Sequence, residues 1–169
     1  MTVLEWMQED IQLTHSVSIL LNKLIKNNDA IPVHSSLSRF HSRHVPSISI
    51  QDYLCRILKF TQLPSCILLC ILIYADRCSL LFSSLTAHRF IIAAITVASK
   101  SISDIYCTNT FFSKVGGISL QELNVLELEF LQLIQWNAVI TLEEMSLYYQ
   151  QLQRFQPSSS LKGFITVDD

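Results

Sequence analysis

The sequence predicts an all-α fold, a leading helix followed by a compact five-helix bundle, and three observations carry this. Three glycines and four prolines among 169 residues leave too little turn chemistry for many short strands. Apolar residues make up 50% of the chain and recur at helical spacing in several long stretches. Three sites read Ser/Thr-x-x-acidic, the signature of a helix start: Ser49 with Asp52, Ser119 with Glu122 and Thr141 with Glu144.

Residues 1–30 form the leading helix in this reading. Leu4, Ile11, Leu13, Val17, Leu20, Leu21 and Leu24 fall at near-helical spacing over Val3 to Ile25, before Asn27-Asn28-Asp29 ends the pattern. Residues 31–46, rich in Ser, His and Arg with a proline near each end, read as a connecting segment that crosses the surface. A single domain is expected over 47–155, with helices at about 49–61, 64–81, 86–101, 119–136 and 141–154. Pro64 suits a first helical turn, and Thr86 can cap the helix entering Ala87-His88-Arg89. Gly116-Gly117 reads as a turn needing positive φ, since a phosphate cradle calls for a longer glycine pattern. Residues 156–169 form a tail with little to bury, too short for a second domain.

Composition narrows the function. Charged residues are only 15% of the chain, and the mean hydropathy is +0.36, so some apolar surface is expected to need a partner. The longest charge-free apolar run, Phe60 to Ala75, holds Thr61, Gln62, Pro64 and Ser65 and stops at Asp76-Arg77, which argues against a membrane span. Glu5, Glu9 and Asp10 give the N-terminus the wrong charge for a signal peptide. A net charge of -2 with scattered basic residues argues against nucleic acid as a partner. Five cysteines (55, 66, 70, 78, 107) without a CxxC pair suit a reducing compartment and are read as buried small hydrophobes. No zinc-like spacing follows from them or from His41 and His44, so no metal or other cofactor is expected. Nor is a nucleophile–base pair visible, and the chain is not read as an enzyme.

Two charges stand in awkward places. Arg89, Ala93, Thr96 and Lys100 line one edge of the most apolar helix, a strip of small residues bracketed by cations where another helix can approach closely. Lys100 can be a last-turn lysine that complements the helix dipole and reaches water. Glu127 falls on a wheel among Leu120, Leu123, Phe130, Leu131 and Ile134, so it interrupts an apolar face and needs a partner. Two readings stand: an internal ion pair with Lys100, or a Lys–Glu pair displayed to capture another protein. Arg56 and Asp76 are expected to form a structural pair that pins two helices together. Trp136 and Phe130 suit a core, although an aromatic near a helix end can also anchor a partner.

Pro46-Ser-Ile-Ser-Ile-Gln-Asp-Tyr-Leu-Cys-Arg-Ile57, Ile73-Tyr-Ala-Asp-Arg77, His88-Arg89 through Ala98-Ser-Lys100, Asp104-Ile-Tyr106, Asn109 and Lys114-Val-Gly-Gly-Ile-Ser-Leu-Gln-Glu-Leu-Asn-Val-Leu-Glu127 follow one another in order. This string resembles the cyclin box over roughly residues 46–150, and specifically the PHO-type (P-type or U-type) cyclins, a branch named for a phosphate-response cyclin of yeast. The resemblance implies a five-helix cyclin box with an additional N-terminal helix. It implies a heterodimer with a cyclin-dependent protein kinase, bound through the C-helix of the kinase small lobe and activated allosterically. It assigns kinase contacts to Lys100 and Glu127, with Leu131 and Trp136 as apolar contacts. The first box helix lacks a Met-Arg-x-Ile-Leu segment, which puts substrate docking at that patch in doubt. The alternative is a cyclin-fold adaptor in transcription that activates no kinase. A cytoplasmic or nuclear location, or both, is expected; Arg39 to His44 is too thin for a localisation cluster.

Overall fold

In the computed structural model, residues 3–32, 37–78, 82–104 and 107–155 are described. Seven helices run through them: α1 (Val3–Asp29), α2 (Ile50–Thr61), α3 (Ile67–Arg77), α4 (Ala87–Ile102), α5 (Asn109–Gly116), α6 (Leu120–Leu133) and α7 (Leu142–Arg154). No strand occurs among the described residues. The fold is all-α, as the sequence predicts.

Helix α4 is the hub. Every residue of α4 from Phe90 to Ser99 is buried, because α3, α5 and α6 pack around it. Helix α3 is equally dry from Ile67 to Ala75, lying between α4 and α7. Helix α1 closes the opposite side on α2, α3 and α7 through Val17, Leu20, Leu21 and Leu24, while Ile11, expected on that face, points to solvent.

Caps explain where several helices begin. Ser49 Oγ accepts from the Asp52 amide at 3.0 Å. Thr141 and Glu144 form a reciprocal capping box. Ser119 makes only half of one: it accepts from the Glu122 amide at 3.1 Å, while the Glu122 carboxylate turns instead to Arg89. Thr86 does not cap α4 as expected; its hydroxyl accepts from the Ser83 amide at 2.9 Å. Pro64 to Cys66 form a turn that leads into α3 at Ile67, and the helix ends at Arg77 before residues 79–81, which lie outside the described residues.

Three expectations need correction. The sequence reading missed α5, whose Thr108 cap accepts from the Phe111 amide at 3.2 Å without a following acid. At eight residues it is too short to show a helical period. Gly117 ends it at φ +72°, as the turn reading required, but Gly116 is helical and fits because α5 presses against Ile92 of α4. The connecting segment does more than cross the surface: Phe40 is fully buried, with ring centroids 6.3 Å from Phe90 and 6.4 Å from Phe130. Finally, among the cysteines only Cys70 is fully buried, its thiol pushed up to about 12 by desolvation, whereas Cys55 and Cys66 are exposed. The tail expected over 156–169 lies outside the described residues.

Candidate functional site

Helix α6 lies against the small-residue strip of α4 and meets the cation at each end of it. Near the start Glu122 pairs with Arg89; at the far end Glu127 Oε1 accepts from Lys100 Nζ at 2.6 Å. Between them Ala93 and Thr96 are fully buried, which lets the two helices approach closely. The Arg89–Glu122 pair is not among the pairs that the sequence predicts. Its signal was Glu122 standing at the same start as Ser119.

Glu127 has a second partner. Its Oε2 accepts from Asn109 Nδ2 at 2.6 Å, and the same nitrogen lies 2.8 Å from Asn124 Oδ1. Asn109 opens α5, so the carboxylate ties together the end of α4, the start of α5 and the middle of α6. The side chain of Glu127 is 15% exposed and that of Lys100 38%, so the pair sits at the rim of the bundle with the lysine on the open side. At that exposure such a pair contributes about 0.5–1 kcal/mol to the fold. The internal pair of the two sequence readings is therefore formed, and its lysine still faces solvent. Asn109 Oδ1 is buried and has no hydrogen-bond partner among the described residues.

One turn beyond Glu127, Leu131 is half-buried against the core, and Leu128 beside it is exposed. Helix α6 stops at Leu133, three residues short of expectation, so Trp136 lies in the connector to α7 rather than on the helix. Its indole is 63% exposed, followed by Val139 at 71% and Leu142 at 79%. Trp136 thus stands outside the core, unlike Phe130, which is fully buried.

The expected pair of Arg56 with Asp76 does not form. Helix α2 packs on α1 and α5, so Arg56 reaches the Lys114 carbonyl, at 3.4 Å, whereas the end of α3 lies on α7. There Asp76 accepts from the Tyr148 hydroxyl, and desolvation raises its pKa to about 6 despite that bond. The neighbouring Arg77 is the residue that pairs, with Glu144 at 2.5 Å; the backbone bond from the Thr141 amide, and then this guanidinium, hold the Glu144 carboxyl below the usual range. Nothing in local spacing marks these partners, which lie 67 and 72 residues away.

Among the described residues no group of three or more His, Cys, Asp or Glu side chains is arranged to hold a metal ion. No described helix is long and apolar enough to cross a membrane.

A family model described as Cyclin matches residues 12–138. The chain is 42% identical over 142 residues to the Nuc-1 negative regulatory protein preg of Neurospora crassa, covering 79% of this chain and 29% of that protein. It is 40% identical over 157 residues to the PHO85 cyclin-like protein psl1 of Schizosaccharomyces pombe, covering 81% and 65% respectively. It is also 40% identical over 150 residues to the PHO85 cyclin PHO80 of Saccharomyces cerevisiae, covering 85% and 50%. The chain spans less than two thirds of the length of each of these three relatives. The helical bundle, the matched span and these relatives agree: the chain belongs to the cyclin family, as a cyclin of the PHO type.

Proposed function

We propose that this cyclin is a regulatory subunit that binds a cyclin-dependent protein kinase and activates it allosterically. The observation that carries the proposal is the Lys100–Glu127 pair, whose lysine is 38% exposed and whose glutamate stands on α6, the helix that continues through the half-buried Leu131 into a connector bearing the exposed Trp136. An ammonium and a carboxylate held side by side offer a donor and an acceptor to the backbone of a partner segment, and apolar residues beside them supply burial. Two relatives are named as PHO85 cyclins or cyclin-like proteins, which makes a kinase of that kind the partner to test first.

The chain takes no part in phosphoryl transfer. It binds the kinase conformation in which the C-helix glutamate meets the catalytic lysine, and the difference in its affinity for the two conformations shifts the population. Turning a 1:99 equilibrium into 99:1 requires a differential affinity of about 5.5 kcal/mol.

The test is a pull-down with purified PHO85-type kinase. Lys100→Ala and Glu127→Ala are expected to stay folded, because the pair sits at the rim and contributes only about 0.5–1 kcal/mol, and to weaken capture at least tenfold. Folded variants that capture the kinase as well as the parent does overturn the reading.

A further inference from the structure

The connector between α6 and α7 is bent in a way that its own sequence does not favour. Gln135 and Trp136, consecutive non-glycine residues, both hold left-handed backbone, at φ 53° and 60°. Such strain persists only where the surroundings over-determine it. Burial of the indole does not provide that here, since Trp136 is 63% exposed.

The constraint comes from α3. Arg77 Nη1 donates to the carbonyls of Asn137 at 2.7 Å and Val139 at 2.9 Å, and the Tyr74 hydroxyl donates to the carbonyl between them, Ala138, at 2.7 Å. Three consecutive carbonyls are thus held by two side chains one turn apart. Arg77 Nη2 also reaches Glu144, whose other oxygen accepts from the Thr141 amide at 3.0 Å, so the far end of the connector is tied to the same guanidinium. At the near end the Trp136 amide donates to the Leu131 carbonyl at 2.7 Å. Tyr74 is fully buried, its ring 5.4 Å from that of Phe130, which anchors the clamp in the core. A guanidinium serves three acceptors on two edges here; a lysine ammonium has neither the plane nor the reach.

We propose that Arg77 and Tyr74 are positioning residues that lock the 134–141 connector in this strained form, so that Trp136 is presented already ordered as an aromatic anchor for the kinase. The identity of the partner rests on the function proposed above; the lock itself does not. A loop held in its bound shape spares the complex the cost of ordering it. If release lets the bound shape fall to about a tenth of the population, apparent affinity falls about tenfold.

The chain has two tryptophans, so a Trp6→Phe background makes Trp136 the sole fluorophore. In that background, Arg77→Met is expected to lower the fluorescence anisotropy of Trp136 and to weaken binding to the same purified kinase about tenfold. With Trp136→Ala also present, Arg77→Met should change the dissociation constant less than about twofold. An equal loss of affinity with and without Trp136 overturns the proposal, and so does unchanged anisotropy. Should Arg77→Met fail to fold, Tyr74→Phe, which removes one donor and keeps the ring, decides: a loss of about threefold that vanishes without Trp136 supports the lock, and a loss that persists refutes it. Parent protein that binds the kinase while neither variant weakens it overturns this inference alone; parent protein that does not bind overturns the reading beneath it.

Discussion

Substituting Gly116 with alanine tests how tightly the site is built into the core. A Cβ at this position would lie 2.7 Å from Cγ1 of Ile92 and 3.2 Å from its Cδ1. Ordinary carbon contacts begin at about 3.5 Å, so roughly 0.8 Å of separation must be found. Ile92 cannot swing aside, because it is β-branched and fully buried in the middle of α4. Helix α5 must move instead, and α5 carries Asn109, the second partner of Glu127. Overpacking of this kind costs about 1–3 kcal/mol. Alanine recovers at most about 1 kcal/mol of helix propensity, and less at the last helical residue. A net loss of about 1–2 kcal/mol follows, which at a urea slope of about 2 kcal/mol/M lowers the midpoint by roughly 0.5–1 M. Urea unfolding followed by circular dichroism measures it. With Ile92→Ala, which removes the clashing atoms, the double variant should be at least about 1 kcal/mol more stable than the sum of the single losses predicts. If Gly116→Ala raises the midpoint, as it would for an uncrowded helical glycine, the close approach of α5 to α4 is refuted.

Two further predictions concern charge. The pKa of Asp76 is raised from 3.8 to about 6, so the folded state holds this proton more tightly than the unfolded chain does. The stability it contributes is complete below about pH 4 and is lost as pH rises through 6, on the order of 1 kcal/mol once solvent access to the carboxyl is allowed for. Asp76→Asn keeps an acceptor for Tyr148 and should raise the urea midpoint at pH 7.5 while flattening its pH dependence between 4 and 6; an unchanged slope contradicts the assignment. Asn109→Asp places a second carboxylate against Glu127, in place of an amide that now lies 2.6 Å from it. It should destabilise by about 1–3 kcal/mol at pH 7 and recover on acidification toward pH 4, as one of the two acids takes a proton; a variant as stable as the parent at pH 7 removes Asn109 from the site.

What could be read from the sequence divides by the range of the interaction. Thr141 and Glu144 announced α7 because both halves of a capping box lie within four residues. The position of Glu127 among apolar neighbours was legible from a helical wheel, and the need of a half-buried carboxylate for a cation pointed to Lys100. Asn109 was hidden, since a neutral amide disturbs no hydrophobic pattern and α5 is too short to show one. Asp76 was misassigned for a related reason. A carboxylate near a helix end signals that a partner exists, but only the packing of α3 on α7 selects Tyr148 over Arg56. The strain at Gln135 and Trp136 was equally invisible, because nothing local favours left-handed backbone there and the clamp that holds it comes from residues about 60 positions earlier.

The central claim is that the rim carrying Lys100 and Glu127 recruits and activates a kinase, and one titration tests it most directly. Purified cyclin-dependent kinase is mixed with increasing amounts of the parent protein, of Lys100→Ala and of Glu127→Ala, and phosphate transfer to a peptide is followed at each concentration. The account predicts a saturable rise in activity with the parent protein, and curves shifted at least tenfold to higher concentration for the two variants while their unfolding free energies in urea stay within about 1 kcal/mol of the parent. A kinase that stays inactive at saturating parent protein, or one activated equally by both folded variants, contradicts it.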